Sequence, residues 1–219
     1  KNTPSILISM DYKKLKFKCG IEAHQQLEGK KLFCRCPTIN SDETPNIKIK
    51  RKLRASAGET GEVDIAAQYE KQKNLTFNYE AHSSDCCLVE LDEEPPEPVN
   101  HEALSTALEI ALLLNTKIVD QIQFMRKTVV DGSNVTGYQR TALIGCNGYI
   151  ETSKGKVGIP TLLLEEEAAK KIKKTESSAT YRLDRLGIPM VEIATDPSIQ
   201  DPQHCKEVAE KIGMILRST

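Results

Sequence analysis

The chain has 219 residues, 39% of them hydrophobic and 28% charged, with a formal net charge of −1. That length can bury a core as one large domain or two small ones, and the near-zero charge excludes a globally basic, polyanion-coating protein. Four Phe, six Tyr and no Trp leave too few rings for a base-stacking nucleic-acid platform.

The charge is unevenly spread. Residues 1–54 hold 13 Lys/Arg against five Asp/Glu, whereas residues 85–98 hold six acids and no base. A basic first third reads first as solvated surface and second as a phosphate-facing one. No apolar run approaches the ~20 residues that span a bilayer, and Ile6-Leu7-Ile8-Ser9-Met10 is too short for a signal peptide. The expected location is therefore cytoplasmic, with no membrane partner. The Asn74-Leu75-Thr76 and Asn134-Val135-Thr136 triplets match the glycosylation pattern but carry no meaning without secretion.

In chain order, the first element is a strand over 16–23, running into Gly20-Ile21-Glu22-Ala23-His24-Gln25-Gln26-Leu27. Side chains at i, i+2 and i+4 of a strand share a face, so Glu22, His24 and Gln26 would point together. They read either as a site or as the solvated face of an edge strand. A loop follows from Pro37 to Pro45, and strands are expected over 62–68, 76–80 and 86–91. Glu93 to Pro98 reads as a loop.

A helix is predicted from Asn100 to about Thr116, capped by Asn100, with Ala103, Leu104, Ala107, Leu108, Ala111 and Leu112 as its apolar stripe. Strands over 122–130 and 139–144 flank a loop from Asp131 to Gly137. The run Gly132 to Gln139 copies the glycine spacing of a P-loop but lacks the Lys and Ser/Thr after the second glycine, and no Gly-x-Gly-x-x-Gly occurs. If ATP binds, cations on carboxylates and nearby arginines must neutralise its phosphates.

The strand predicted over 157–165 is an apolar run that ends abruptly in Glu165-Glu166-Glu167. Charge in such a run is expensive unless paired or metal-bound. Lys171 to Ser178 reads as a polar loop. The strand over 189–194 carries Glu192 between Val191 and Ile193, either on an exposed face or as a ligand. The last helix opens at Asp201, with Pro202 in its first turn and Val208, Ala209, Ile212 and Leu216 inward. Strands mixed with helices predict an α+β domain.

Seven cysteines are present, at 19, 34, 36, 86, 87, 146 and 205. An odd count in a cytosolic chain argues against a disulfide framework. Zinc prefers Cys-x-x-Cys pairs, so the Cys34-x-Cys36 and Cys86-Cys87 spacings favour packed or free thiols over a zinc-stabilised structural domain built on those four.

The segments GIEAHQQL, KLFCRCP, CLVELDEEPP, MRKTVVDGSNVTGYQRTALI, LLLEEEAAK and LDRLGIPMVEIATDP resemble the amino-terminal cradle region of the archaeal glutamyl-tRNA(Gln) amidotransferase E-type (GatE) subunits, of the GatB/GatE family. The resemblance runs from about Tyr12 to the end of the chain. The bacterial and organellar B-type (GatB) subunits of aspartyl/glutamyl-tRNA amidotransferase share the strand-borne Glu and His, the acidic cluster and the Pro-x-x-Glu-Ile segment. The stretch from Met125 to Ile144 and the acidic-proline segment from Leu88 to Pro96 favour the E type.

The resemblance implies a mixed or antiparallel sheet with flanking helices, similar to the catalytic fold of glutamine synthetase and the guanidino kinases. Carried over by position, His24, Glu166 and Glu192 match the family's principal Mg²⁺ ligands, with Glu22 contributing to a second ion and Glu165 and Glu167 weaker candidates. Arg182, Arg185, Gln139 and Arg140 are the candidate ATP or substrate contacts, with Lys18, Gln25 and Gln26 behind them. The implied activity is ATP-dependent conversion of misacylated glutamyl-tRNA(Gln) to glutaminyl-tRNA(Gln) through a γ-phosphorylated intermediate. Ammonia would come from an asparaginase-like partner of the GatD type in a heteromeric complex. Family members continue well beyond Thr219 into tRNA-binding domains, so residues 1–219 are expected to be a truncated cradle (catalytic) domain. The rival reading is a non-catalytic module that docks a partner or RNA, its acids forming a solvated rim.

Overall fold

A computed structural model describes residues 10–39, 44–55, 57–58 and 60–219. Of the early apolar run, all but Met10 lies outside the described residues, as do positions 40–43 of the Pro37–Pro45 loop. The elements are β1 (Glu22–Gln26), β2 (Ile47–Lys52), α1 (Ile65–Gln72), β3 (Thr76–Ala81), α2 (His101–Leu113), β4 (Lys117–Ile118), β5 (Phe124–Thr128), β6 (Tyr138–Thr152), β7 (Gly155–Glu166), β8 (Lys170–Lys174), β9 (Ser178–Arg182), β10 (Pro189–Ala194) and α3 (Pro202–Ser218).

The strands form two sheets. The larger runs β1-β10-β7-β6-β4, with β5 also paired to β6, and every pairing in it is antiparallel. The smaller runs β2-β3-β9-β8, with β3 and β9 parallel and its outer pairs antiparallel. The chain is thus α+β with mixed sheets, as its pattern of elements predicts.

One face of the larger sheet is dry because its strands alternate. Val191, Ile193, Leu162, Leu164, Ala142 and Ile144 are fully buried and pack with Ala107, Ile110 and Ala111 of α2 and Val208 and Ile212 of α3. Each such Val, Leu or Ile side chain contributes roughly 1.5–3 kcal/mol by leaving water. Glycine lets the segment that follows α2 approach closely: a Cβ on Gly145 would stand 2.3 Å from Thr116 Oγ1, and one on Gly148 would stand 2.5 Å from the Leu114 carbonyl.

Both predicted helices start where their caps place them. Asn100 accepts from the amides of Glu102 and Ala103, and Asp201 accepts from the amide of His204. Two inward assignments are corrected: Leu112 is 64% exposed, with Ile110 buried in its stead, and Ala209 faces solvent while His204 turns inward. His204 accepts from the Gln200 amide at Nδ1 (3.2 Å), so its Nε2–H donates to Thr152 Oγ1 at 2.8 Å.

A second core lies on the smaller sheet, where Phe77, Tyr79 and Tyr181 form a ring cluster with Leu75, Cys86, Leu183 and Leu186. It anchors the loop that imitates a P-loop. The Tyr79 hydroxyl donates to the Gly132 carbonyl and the Tyr181 hydroxyl to the Asp131 carbonyl, each at 2.8 Å. Gly132 lies at φ +85°, and a Cβ there would come within 2.2 Å of the Phe77 ring. The loop is held by packing, in keeping with its lack of phosphate-binding residues.

Three expectations about elements are overturned. The stretch 62–68 enters helix α1, capped by Asp64 through the Ala67 amide, because one Asx cap outweighs a short β-like run. The stretch 86–91 folds into turns, with the Asp92 amide bonded to the Val89 carbonyl and the Glu93 amide to the Leu88 carbonyl. The lysine-rich 171–178 is no loop: it is mostly the strand β8 and the turn into β9, a fully exposed edge of the kind that lysines protect from mispairing.

Candidate metal and catalytic site

The face of the larger sheet opposite the helices carries the site. β1 and β10 pair so that His24 lies opposite Glu192, and β10 and β7 pair so that Glu192 lies opposite Leu163. One pleat along, Gln26, Met190, Glu165 and Thr141 form the next row across β1, β10, β7 and β6. Residues directly opposite across a ladder share a face, so these two rows, with Glu22 opposite Ala194 one pleat the other way, gather Glu22, His24, Glu192, Glu165 and Thr141 on one side. The intervening positions, Val191, Leu162 and Leu164, lie in the core.

His24 Nε2 stands 3.0 Å from Glu22 Oε1 and 3.3 Å from Glu192 Oε2. Side-chain exposure falls from 61% at Glu22 and 44% at His24 to 13% at Glu192, so the cluster is open on the β1 side. Ligand atoms of these three residues lie within 4.8 Å of one another, close enough to converge on one ion. Glu165 lies deeper, with its side chain 2% exposed; it accepts from Thr141 Oγ1 at 3.0 Å and has Lys127 Nζ at 3.7 Å. Burial pushes the Glu165 carboxyl above the usual range, Lys127 and Thr141 pull it back, and the Glu192 charge adds to the rise.

This register separates Glu166 from His24 and Glu192. Adjacent residues of a strand point to opposite faces, and Glu166 falls on the helix side. There the Arg140 guanidinium donates to both its carboxylate oxygens at 3.0 and 3.1 Å, and the Arg140 amide adds a third bond at 3.2 Å. Burial raises the Glu166 carboxyl and Arg140 opposes that rise. The guanidinium also lies 5.3 Å from the Phe33 ring and 5.4 Å from the Tyr138 ring. The neighbour Glu165 takes the place on the open face.

The expected phosphate contacts are engaged elsewhere. Arg140 is committed to Glu166, and Gln139 donates from Nε2 to the Glu166 carbonyl at 2.6 Å. Arg185 donates to the carbonyls of Ala168 and Ala169 at 2.9 and 3.2 Å, with Glu167 3.9 Å away, and so clamps the turn after β7. Arg182 pairs with Glu80 at 3.9 Å. Gln26 Nε2 donates to Glu167 Oε2 at 3.0 Å, Gln25 Nε2 donates to the Gln26 carbonyl at 2.8 Å, and Lys18 is exposed. Lys127 and Thr141 escaped the sequence reading. Their signal was alternation alone: both lie at even spacing from the Glu165 row.

Glu22, His24 and Glu192 thus form a group that could hold a metal ion on one face of an antiparallel sheet, with the buried Glu165 carboxylate one row away. The chain belongs to the family described as the GatB/GatE catalytic domain, which its residues 17–219 match. It is similar to the E-type subunit of the glutamyl-tRNA(Gln) amidotransferase of Methanocaldococcus jannaschii, at 54% identity over 213 residues, 97% of this chain and 34% of that protein. The same-named subunits of Methanothermobacter thermautotrophicus and Archaeoglobus fulgidus are each 52% identical, over 96% of this chain and 34% of each relative. The chain therefore spans about a third of the length of these relatives. Among the described residues no helix is long and apolar enough to cross a membrane.

Proposed function

We propose that this domain is the catalytic part of an ATP-dependent amidotransferase that converts glutamyl-tRNA(Gln) to glutaminyl-tRNA(Gln), as part of a heteromeric complex in the cytoplasm. The observation that carries the reading is the Glu22–His24–Glu192 cluster beside Glu165 on the face of the sheet opposite the helices. The donor set fits Mg²⁺ or Mn²⁺: carboxylate oxygens suit hard cations, and one imidazole is tolerated best by Mn²⁺. A divalent cation held there would supply charge neutralisation for ATP phosphates and the incoming carboxylate.

The chain's own residues do the rest. Glu192 and His24, facing each other across β1 and β10, offer one carboxylate oxygen and one ring nitrogen to a common point. Glu22 reaches it from solvent. Glu165, held by Thr141 and Lys127, presents a third carboxylate deeper in the floor. A γ-carboxylate is a poor electrophile; transfer of the γ-phosphoryl group to its oxygen, with ADP leaving, gives an acyl phosphate. Ammonia then forms the C–N bond as the C–O bond to phosphate breaks. The ammonia source in this reading is an asparaginase-like partner. The sheet-borne arrangement is also what a glutamine synthetase or guanidino kinase type of catalytic fold would require.

The test is Mn²⁺ binding by parent and Glu192→Gln, with and without a non-hydrolysable ATP analogue, together with amidation of glutamyl-tRNA by the full assembly. Binding that nucleotide strengthens and the substitution weakens, with amidation lost, is the expected result. Unimpaired amidation in both Glu192→Gln and Glu165→Gln would overturn the reading.

A further inference from the structure

A second cluster of ligating side chains lies away from the open face, between two segments with no regular secondary structure. Cys34 and Cys36 sit in the turn that the Lys30–Pro37 bridge closes, where the Lys31 amide donates to the Cys36 carbonyl at 2.9 Å. Cys87 and Glu90 sit in the turns that precede α2. The Cys34 thiol donates to Glu90 Oε1 at 2.8 Å, and the Cys87 amide donates to Glu90 Oε2 at 2.8 Å. One ligand atom from each of Cys34, Cys36, Cys87 and Glu90 lies within 4.8 Å of every other.

We propose that Cys34, Cys36 and Cys87, with Glu90 as the fourth ligand, form a closed tetrahedral site for Zn²⁺ that ties these two segments together. Zn–S bonds of about 2.3 Å around a tetrahedron put sulfurs roughly 3.8 Å apart, so the observed cluster needs only a small contraction to close. Thiolate and carboxylate donors select zinc over the hard cations that suit the open face. Four protein ligands leave no open position, which marks a structural site and not a second catalytic one.

The charge is managed locally. Three thiolates and a carboxylate exceed the charge of the ion, and the fully buried Lys31 lies against the cluster, its Nζ 3.3 Å from Glu90 Oε1 and 3.2 Å from the Leu183 carbonyl. The selection among cysteines is equally specific. Cys86 turns into the second core with Tyr79 and Leu186, so the four-cysteine set of Cys34, Cys36, Cys86 and Cys87 is not what the fold assembles. Glu90 stands in the place of the fourth thiol. The tie would join a turn bonded to the β9–β10 connection, through the Leu32 amide and the Gly187 carbonyl at 2.8 Å, to the acidic segment that leads into α2.

The experiment is elemental analysis of the full-length protein purified with reductant and without chelator, for parent, Cys36→Ser, Cys87→Ser and the control Cys86→Ala. The expected result is about one zinc per chain in the parent and in Cys86→Ala, with at least a tenfold loss in the two serine variants. Should those variants fail to fold, Co²⁺ titration of the metal-stripped, reduced parent serves instead. A thiolate-to-cobalt charge-transfer band saturating at one equivalent, then bleached by Zn²⁺, is expected. A reduced parent that holds no zinc and develops no such band overturns the proposal, as does zinc that persists in Cys36→Ser and Cys87→Ser. A Cys36–Cys87 disulfide in the native protein, with no cobalt uptake after reduction, overturns it in favour of a redox pair.

Discussion

Glu165 and Glu166 are neighbours on β7, yet they belong to regions with opposite chemistry. On the open face, Glu165 joins Glu192, Glu22 and His24, where carboxylates outnumber nearby cations and the charge is left for a ligand to meet. On the helix face, Glu166 is already neutralised by three bonds from Arg140, whose guanidinium lies over the Phe33 ring, next to a cavity of about 20 Å³, room for about one water. A buried acid with its own arginine is part of the scaffold; Glu22 and Glu192, which share an imidazole, are the acids left to the proposed cation.

Breaking the scaffold side should have the largest effect on stability. Arg140→Ala leaves Glu166 buried without its cation, at a cost of about 3–5 kcal/mol. That is read as a fall in the denaturation midpoint. The double variant Arg140→Met/Glu166→Leu should recover most of it, because the stranded charge goes too. A double variant no more stable than Arg140→Ala would contradict the assignment of the pair to scaffold.

On the ligand side the order reverses: Glu192→Gln should cost little stability but about 10²–10³-fold in amidation rate. Glu22→Gln, at the exposed rim, should cost less than Glu192→Gln in both Mn²⁺ affinity and rate. Equal losses would mean that the cation sits further out than the register places it.

The pH dependence sharpens the contrast at a smaller scale. Burial raises the folded-state pKa of Glu165 above its ordinary 4.5. Between that value and the raised one, the folded chain holds more protons than the unfolded chain, so this carboxyl makes stability fall as pH rises through the window. Glu165→Gln should remove that slope, visible as a flatter dependence of Tm on pH. In the parent, acid should weaken Mn²⁺ binding from above the usual carboxylate range. The smallest effect is expected behind the sheet, where Asn100→Ala removes the cap of α2 for about 1 kcal/mol and leaves Mn²⁺ affinity unchanged.

Much of the geometry of the candidate cluster was legible in the residues alone. Period-two spacing put Glu22, His24 and Gln26 on one face, and Glu192 falls in a strand whose limits, 189–194, are the observed ones. Which acid of Glu165-Glu166-Glu167 joins them was not legible. The preceding Leu162-Leu163-Leu164 is apolar at every position, so it offers no alternation from which to choose a face. Leu163 lies on the open face among the acids while its neighbours are in the core, a consequence of the helices covering one side only. The cysteines teach the same lesson. Cys86 and Cys87 are equivalent on paper, and a turn sends one into the aromatic core and the other to Cys34 and Cys36.

Local and periodic signals were enough for the caps that start α2 and α3, the strand-borne Glu22–His24 pair, the acid-bearing strand 189–194, and the family through the order of its motifs. Those signals depend on residues a few positions apart, whose mutual geometry the backbone dictates. The folded chain alone settles which face is covered and which residues meet across long stretches of sequence. The pairing of β1 with β10, the turn of Glu166 toward Arg140, and the approach of Cys87 to Cys34 depend on strand register and on helix packing. Such register is set by burying apolar surface over the whole sheet, a property that no short window of sequence contains.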